Sequence, residues 1–232
     1  MEINFKDTPI NPKMSFKKRI LDPSLKSPRK AIARLIMGEK LWNKSTMEHS
    51  CLNFDGDDSP TKFLMTQRDI STHEHYPTFH VLNYILKLKK IVEIGVETGN
   101  SSIVLLESAI ENDGFVTSID IDECIEAKKR IKQLGYDTRW KFIQSDSLKV
   151  NWNEDIDHLY IDGLHTYDQL SKELEKFEPF VKKHGIVTVH DIGHPRCGKI
   201  MQKAISDYIQ NKDNLKYFEY YNCLGLGIIY KL

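Results

Sequence analysis

The sequence has no run of about 18 apolar residues, so no membrane-spanning helix is expected and no membrane partner. It has no surplus of either charge. Lys+Arg and Asp+Glu both number 33, a balance that gives nucleic acid no general electrostatic handle. With no long basic stripe and no Asn-Pro-Pro-Tyr motif, nucleic acid is disfavoured as a partner. Cysteine is scarce and scattered: Cys51, Cys124, Cys197 and Cys223, with no CxxC. They read as four reduced thiols of a cytoplasmic protein. The opening MEINFKDTPINPK lacks an apolar core, so no secretory signal is expected. HExxH is absent, so the nearby His73 and His75 read as solvated or hydrogen-bonded loop residues. The stretch 53–60 (NFDGDDSP) has three aspartates but not the closing glutamate of a calcium loop. Absent too is the Gly-x-Gly-x-x-Gly of dinucleotide-binding folds.

What is present is a different glycine turn. Ile91, Val92, Glu93 and Ile94 read as a short buried strand, Gly95 to Gly99 as a tight turn with Gly-x-x-x-Gly spacing, and Ser101 and Ser102 as the opening of a helix. Strand, glycine turn and helix make a cradle for a nucleotide cofactor. Glycines let the backbone approach the ligand, and the helix N-terminus offers free N–H groups.

A βαβ rhythm follows, which argues for a parallel sheet with helices on both faces. Further strands are expected over 115–119, 140–144, 158–161 and 186–189. Helices are expected over 78–88, 101–110, 123–134, 167–183 and 199–210, with Gly185 ending the fourth. The Lys128, Lys129, Arg130 run reads as a solvated face. Two closing strands, 217–221 and 225–231, are close enough to pair antiparallel. Upstream, 1–28 reads as an arm with little regular structure, its Lys17, Lys18, Arg19 cluster facing water, and 28–44 as a helix. The division is thus 1–70, an N-terminal arm and helical cap, and 71–232, the cofactor-binding domain.

Ligands of open α/β sheets bind beyond the carboxyl ends of the strands. Here four successive strands end in aspartate: Asp120, Asp146, Asp162 and Asp191. Asp120 stands where a carboxylate can accept hydrogen bonds from both ribose hydroxyls. Asp122 is the better-placed cap for the helix that follows.

The glycine turn resembles the first motif of the class I S-adenosylmethionine-dependent methyltransferases. The stretch Asp162, Gly163, Leu164, His165, Thr166, Tyr167, together with His190 and Asp191, resembles the subgroup of sugar and small-molecule O-methyltransferases and cephalosporin-hydroxylase-like proteins. The resemblance covers roughly 70–232. It implies an α/β fold with a doubly wound, mostly parallel seven-stranded sheet, an antiparallel terminal strand and an N-terminal helical extension. It implies S-adenosylmethionine as cofactor and a small-molecule acceptor. Glu93 would orient the turn or meet the methionine amino group, and Ser101 or Ser102 would bind the methionine carboxylate. Asp146 and Ser147 would lie on the adenine side. The order also resembles catechol O-methyltransferase, in which the aspartate after strand four binds magnesium and a lysine three residues on is the base. The matching positions are Asp162 and His165, which makes these the candidate catalytic pair. Asp162 and Asp191 become the candidate Mg2+ ligands. Ile192 stands where that enzyme has a ligating Asn. His194 and Arg196 are candidates to line the acceptor pocket. An NAD-dependent enzyme and a non-catalytic S-adenosylmethionine-binding protein stay open as alternatives, and so does homo-oligomerisation.

Overall fold

The computed structural model describes residues 2–3, 52–53, 59–65, 67, 71–221 and 223–232. The basic cluster at 17–19, the helix expected over 28–44, Cys51 and most of the aspartate loop lie outside the described residues.

The domain begins with helices α1 (Pro60–Met65) and α2 (Tyr76–Leu86). Strand β1 (Lys90–Ile94) leads through the glycine turn into α3 (Asn100–Glu111). Then come β2 (Phe115–Asp120), α4 (Ile125–Gln133), β3 (Trp140–Gln144), β4 (Ile156–Ile161) and α5 (Tyr167–Phe177). The chain closes with β5 (Val181–His190), α6 (Gly198–Ile209), β6 (Leu215–Tyr220) and β7 (Leu226–Lys231). The seven strands form one sheet in the order β3-β2-β1-β4-β5-β7-β6. β1 to β5 pair in parallel; β7 runs antiparallel between β5 and β6. The order reverses beside β1, and the crevice of such a sheet opens at that point.

Alternation along each strand builds two cores. On β1, Ile91 joins the layer of Phe79, Leu82 and Leu105, while Val92 and Ile94 join that of Leu170, Val187 and Ile205. Burying each such side chain contributes roughly 1.5–3 kcal/mol. Glu93 shares Ile91's face of β1, the face that carries α3. A carboxylate therefore enters an apolar layer.

Three expectations need correction. The helix expected over 167–183 ends at Phe177. Glu178–Phe180 is a 3-10 turn with Pro179 inside it, and proline cannot donate the next helical hydrogen bond. β5 then starts at Val181, and its register against β4 shifts between Ile156 and His158, leaving Lys182, Lys183 and His184 exposed. Asp122 is not the cap of α4. Cys124 holds that position without a side-chain hydrogen bond, and the Asp122 N–H donates to Asp120 Oδ1 instead. Finally, Arg130 does not belong to a purely solvated face. Its Nη1 donates at 2.8 Å to Thr98 O and to Asn100 Oδ1, tying α4 to the glycine turn. No helix among the described residues is long and apolar enough to cross a membrane.

Candidate active site

A cleft of about 980 Å³ opens at the carboxyl ends of β1 to β5. Gly95 starts its floor. It has φ +89°, and a Cβ there would sit 2.2 Å from the Asp162 carbonyl oxygen. Only glycine lets the ends of β1 and β4 approach so closely. Gly99, φ +80°, serves packing: a Cβ would lie 2.7 Å from the Ala127 Cβ on α4.

The cofactor candidates divide in two. Gly95, Ser101, Asp120, Asp146 and Ser147 line the cleft. Glu93, Gly99 and Ser102 do not, and Glu93 and Ser102 are 0% exposed. The Glu93 carboxylate accepts hydrogen bonds from the Ser101, Ser102 and Ser118 hydroxyls, each at 2.6 Å. Ser118 also accepts from Trp140 Nε1. Of the two roles expected for Glu93, the geometry matches turn orientation and not contact with a ligand. The hydroxyls of Ser101 and Ser102 are committed to Glu93, which leaves the backbone at the α3 N-terminus to meet an anion. Burial pushes the Glu93 carboxyl up to about 7, against the three hydroxyls that hold it down. Glu93→Gln is expected to lower stability by about 1–3 kcal/mol, because an amide cannot accept all three hydroxyls. Urea unfolding measures this. Unchanged stability with lost ligand affinity would place Glu93 at the ligand after all.

Asp120 Oδ2 accepts from the backbone N–H of Val96 at 2.7 Å and of Glu97 at 3.3 Å, so it braces the glycine turn from β2. It still faces the cleft. Asp146 caps a short turn through Leu148 N. Ser147 donates to Glu173 Oε1 at 2.6 Å, which Gln169 Nε2 also reaches. Ile121 and Leu164, 70% and 65% exposed, supply apolar faces to the same cleft.

The far end of the cleft holds a cluster of two aspartates and two histidines. His165 Nε2 lies 3.2 Å from Asp162 Oδ1, and its Nδ1 lies 3.1 Å from Asp191 Oδ2. His190 Nδ1 lies 3.3 Å from Asp162 Oδ1 and 3.2 Å from Asp191 Oδ1. Tyr160 O–H donates to Asp162 Oδ2 at 2.7 Å. The Asp162 carboxyl falls well below the usual range. Burial alone would raise it, but the charge of His190 and hydrogen bonds from His165, His190 and Tyr160 outweigh that. His165 is raised, first by its hydrogen bond to Asp162. His190 is raised as well, Asp162 and Asp191 overcoming the burial that would lower it.

Tyr160 is a site residue that sequence reasoning missed, and His190, weighed only as a substitute metal ligand at the Ile192 position, is another whose place it did not find. Tyr160 stands two positions before Asp162 on β4, and period-two alternation puts both on one face. His190 is turned toward Asp191 by backbone strain: Asp191 has φ +63°, a left-handed conformation for a non-glycine residue. No composition signal marks that. His75, 1% exposed, is neither solvated nor one of a metal pair with His73. It packs edge-on against His190 at 5.4 Å, and both Nε2 atoms stand 3.1 Å from the Cys223 carbonyl. Burial, then His190, pushes His75 down to about 3, so it is neutral. His194 and Arg196 are outside the cleft lining, and the Arg196 N–H donates to His194 Nδ1.

The cluster does not suit magnesium. That ion asks for near-octahedral oxygen ligands. The implied third ligand position is Ile192, 0% exposed, and both carboxylates already face imidazole nitrogens. The donor set is mixed nitrogen and oxygen, so no chemistry of the site is routed through magnesium.

Residues 92–192 match the family model described as a methyltransferase domain. The fold is that of the methyltransferases. Among solved structures, it is similar to SAH-bound PaMTH1 of Podospora anserina, at 13% identity over 75% of this chain and 86% of that one, TM-score 0.62. It is similar to an O-methyltransferase of Bacillus cereus in complex with SAH, at 15% identity over 78% and 94%, TM-score 0.60. A third is the O-methyltransferase TomG of Streptomyces achromogenes, in complex with SAM, at 16% over 84% and 98%, TM-score 0.57. No curated protein sequence matches the chain. The methyltransferase fold with its antiparallel terminal strand is as expected, and the dinucleotide alternative loses its support.

Proposed function

We propose that this methyltransferase moves the methyl group of S-adenosylmethionine to a hydroxyl of a small molecule. The observation that carries the reading is His165, held between Asp162 and Asp191 at the end of the cleft that starts at the glycine turn. The solved relatives bound to SAM or SAH support the cofactor.

In this reading the cofactor's adenosine lies along Asp120, Ile121, Ser147 and Leu164. The α3 N-terminus would hold its methionine end, and the methyl group it supplies would be transferred at the His165 end of the cleft. Asp162 accepts the His165 Nε2–H, which leaves the lone pair on Nδ1. The acceptor oxygen attacks the methyl carbon in line. Its proton passes to Nδ1, and the C–S electron pair stays on sulfur to give S-adenosylhomocysteine. Asp191 lies beside Nδ1 and stabilises the imidazolium that forms. A sugar or other hydroxylated acceptor follows from the sequence resemblance.

Calorimetric titration tests the cofactor. S-adenosylmethionine and S-adenosylhomocysteine are expected to bind at micromolar concentrations, NAD not at all, and a chelator should change nothing. Binding of NAD alone, or of none of them, would sink the proposal.

A further inference from the structure

We propose that the acceptor end of the cleft also forms a site for a borderline-soft divalent ion of the zinc or cobalt type. Its ligands are His165 Nδ1, Asp191 and Cys197 Sγ. One ligand atom from each lies within 4.8 Å of the others. His165 Nδ1 and Asp191 Oδ2 stand 3.1 Å apart. That is close to the roughly 3.3 Å expected between two ligands placed tetrahedrally about 2.0–2.1 Å from one zinc ion.

Two independent features point to a cation there. Asp191 is 5% exposed, its Oδ1 makes no hydrogen bond and meets only the charge of His190 Nδ1 at 3.2 Å, and it stands on a strained left-handed backbone. Secondly, Asp162 accepting from His165 Nε2 gives the carboxylate–histidine arrangement that orients metal-binding imidazoles. The free lone pair on Nδ1 then faces a carboxylate oxygen. Two acceptors in contact need a cation between or beside them, either a proton or a metal ion.

Local packing delivers the cysteine. α6 starts at Gly198, where a Cβ would lie 2.7 Å from the Ile192 carbonyl oxygen. That close approach brings Cys197, the residue before it, back toward Asp191. A thiolate selects zinc or cobalt over magnesium. On binding, the Cys197 thiol loses its proton to solvent and the sulfur lone pair forms the metal bond. The ion occupies His165 Nδ1, so a loaded protein cannot accept the acceptor's proton. That consequence rests on the proposed methyl transfer; the binding itself does not.

The test titrates the chelator-stripped full-length chain with cobalt chloride, with no sulfur cofactor present. One equivalent is expected to bind with a near-ultraviolet thiolate-to-cobalt charge-transfer band and the visible bands of a tetrahedral ion. Zinc displaces it and magnesium in hundredfold excess does not. Cys197→Ser removes the charge-transfer band and weakens binding by about tenfold or more, while Cys124→Ser keeps both. His165→Ala, at a half-exposed position, weakens binding similarly and guards against misfolding of the cysteine variant. Thermal melts report folding of each. No charge-transfer band in wild type, or a band that survives Cys197→Ser in a folded protein, overturns the proposal. Because no cofactor is added, failure here leaves the methyl-transfer reading standing, and the reverse holds too.

Discussion

His165→Ala is expected to lower turnover by about 10²–10⁴-fold while S-adenosylhomocysteine affinity stays close to wild type. The split follows from position. The side chain contacts Asp162 and Asp191, whereas Asp120 is the carboxylate that braces the glycine turn. A base that acts only as the hydroxyl loses its proton contributes to the transition state and not to cofactor binding. The pH profile gives a second reading. The two carboxylates hold protonated His165 in place and raise its pKa above the usual 6.5. Below that raised value His165 is protonated and cannot accept a proton; above it the base is free. Turnover should therefore climb with pH along a limb centred above about 6.5, and the limb should vanish in His165→Ala. Asp162→Asn should move the limb back toward lower pH, since it removes the first cause of the shift. A limb that persists without His165 would assign the base elsewhere, His190 being the nearest alternative.

Much of this was legible in the chain because strand ends are legible. Short apolar runs, each closed by an aspartate, mark where parallel strands stop, and the sheet geometry sets those ends side by side. Asp120, Asp146, Asp162 and Asp191 duly line one cleft. His165 was singled out by the resemblance to catechol O-methyltransferase, and it lines the same cleft. Two kinds of information were not legible. Glu93 was expected either to orient the turn or to meet the ligand, and the sequence did not say which; its pleat face turns it under the turn, into a pocket of three serines. Those serines come from two elements, α3 and β2, so no local pattern announces them. His190 and Cys197 depend on a left-handed Asp191 and on the close start of α6. Backbone twists of that kind are imposed by tertiary packing, which periodicity does not record. The end of α5 was misplaced for a simpler reason. Gly185 looked like the helix stop, but Pro179 acts first.

The other large effect is expected at Gly95. Two substitutions separate its possible causes. Gly135 has φ +72° with nothing within 4 Å of a built Cβ. Gly135→Ala therefore costs only the left-handed backbone, on the order of 1 kcal/mol, or about 2–4 °C in Tm. Gly95 has a similar φ, +89°, but its Cβ would lie 2.2 Å from the Asp162 carbonyl oxygen and 2.6 Å from its carbonyl carbon. Both are backbone atoms and cannot rotate away. Relief requires the ends of β1 and β4 to part, which strains the hydrogen bonds Gly95 N–H to Ile119 O and Asp162 N–H to Ile94 O. Gly95→Ala is thus expected to cost more than about 3 kcal/mol, a drop on the order of 10 °C. It should also abolish S-adenosylhomocysteine binding, because the moved Asp162 backbone and the turn share the cleft floor. Thermal melts and calorimetry on the two variants decide it. If Gly95→Ala melts with Gly135→Ala and still binds, the close approach of β1 and β4 is not what shapes the site.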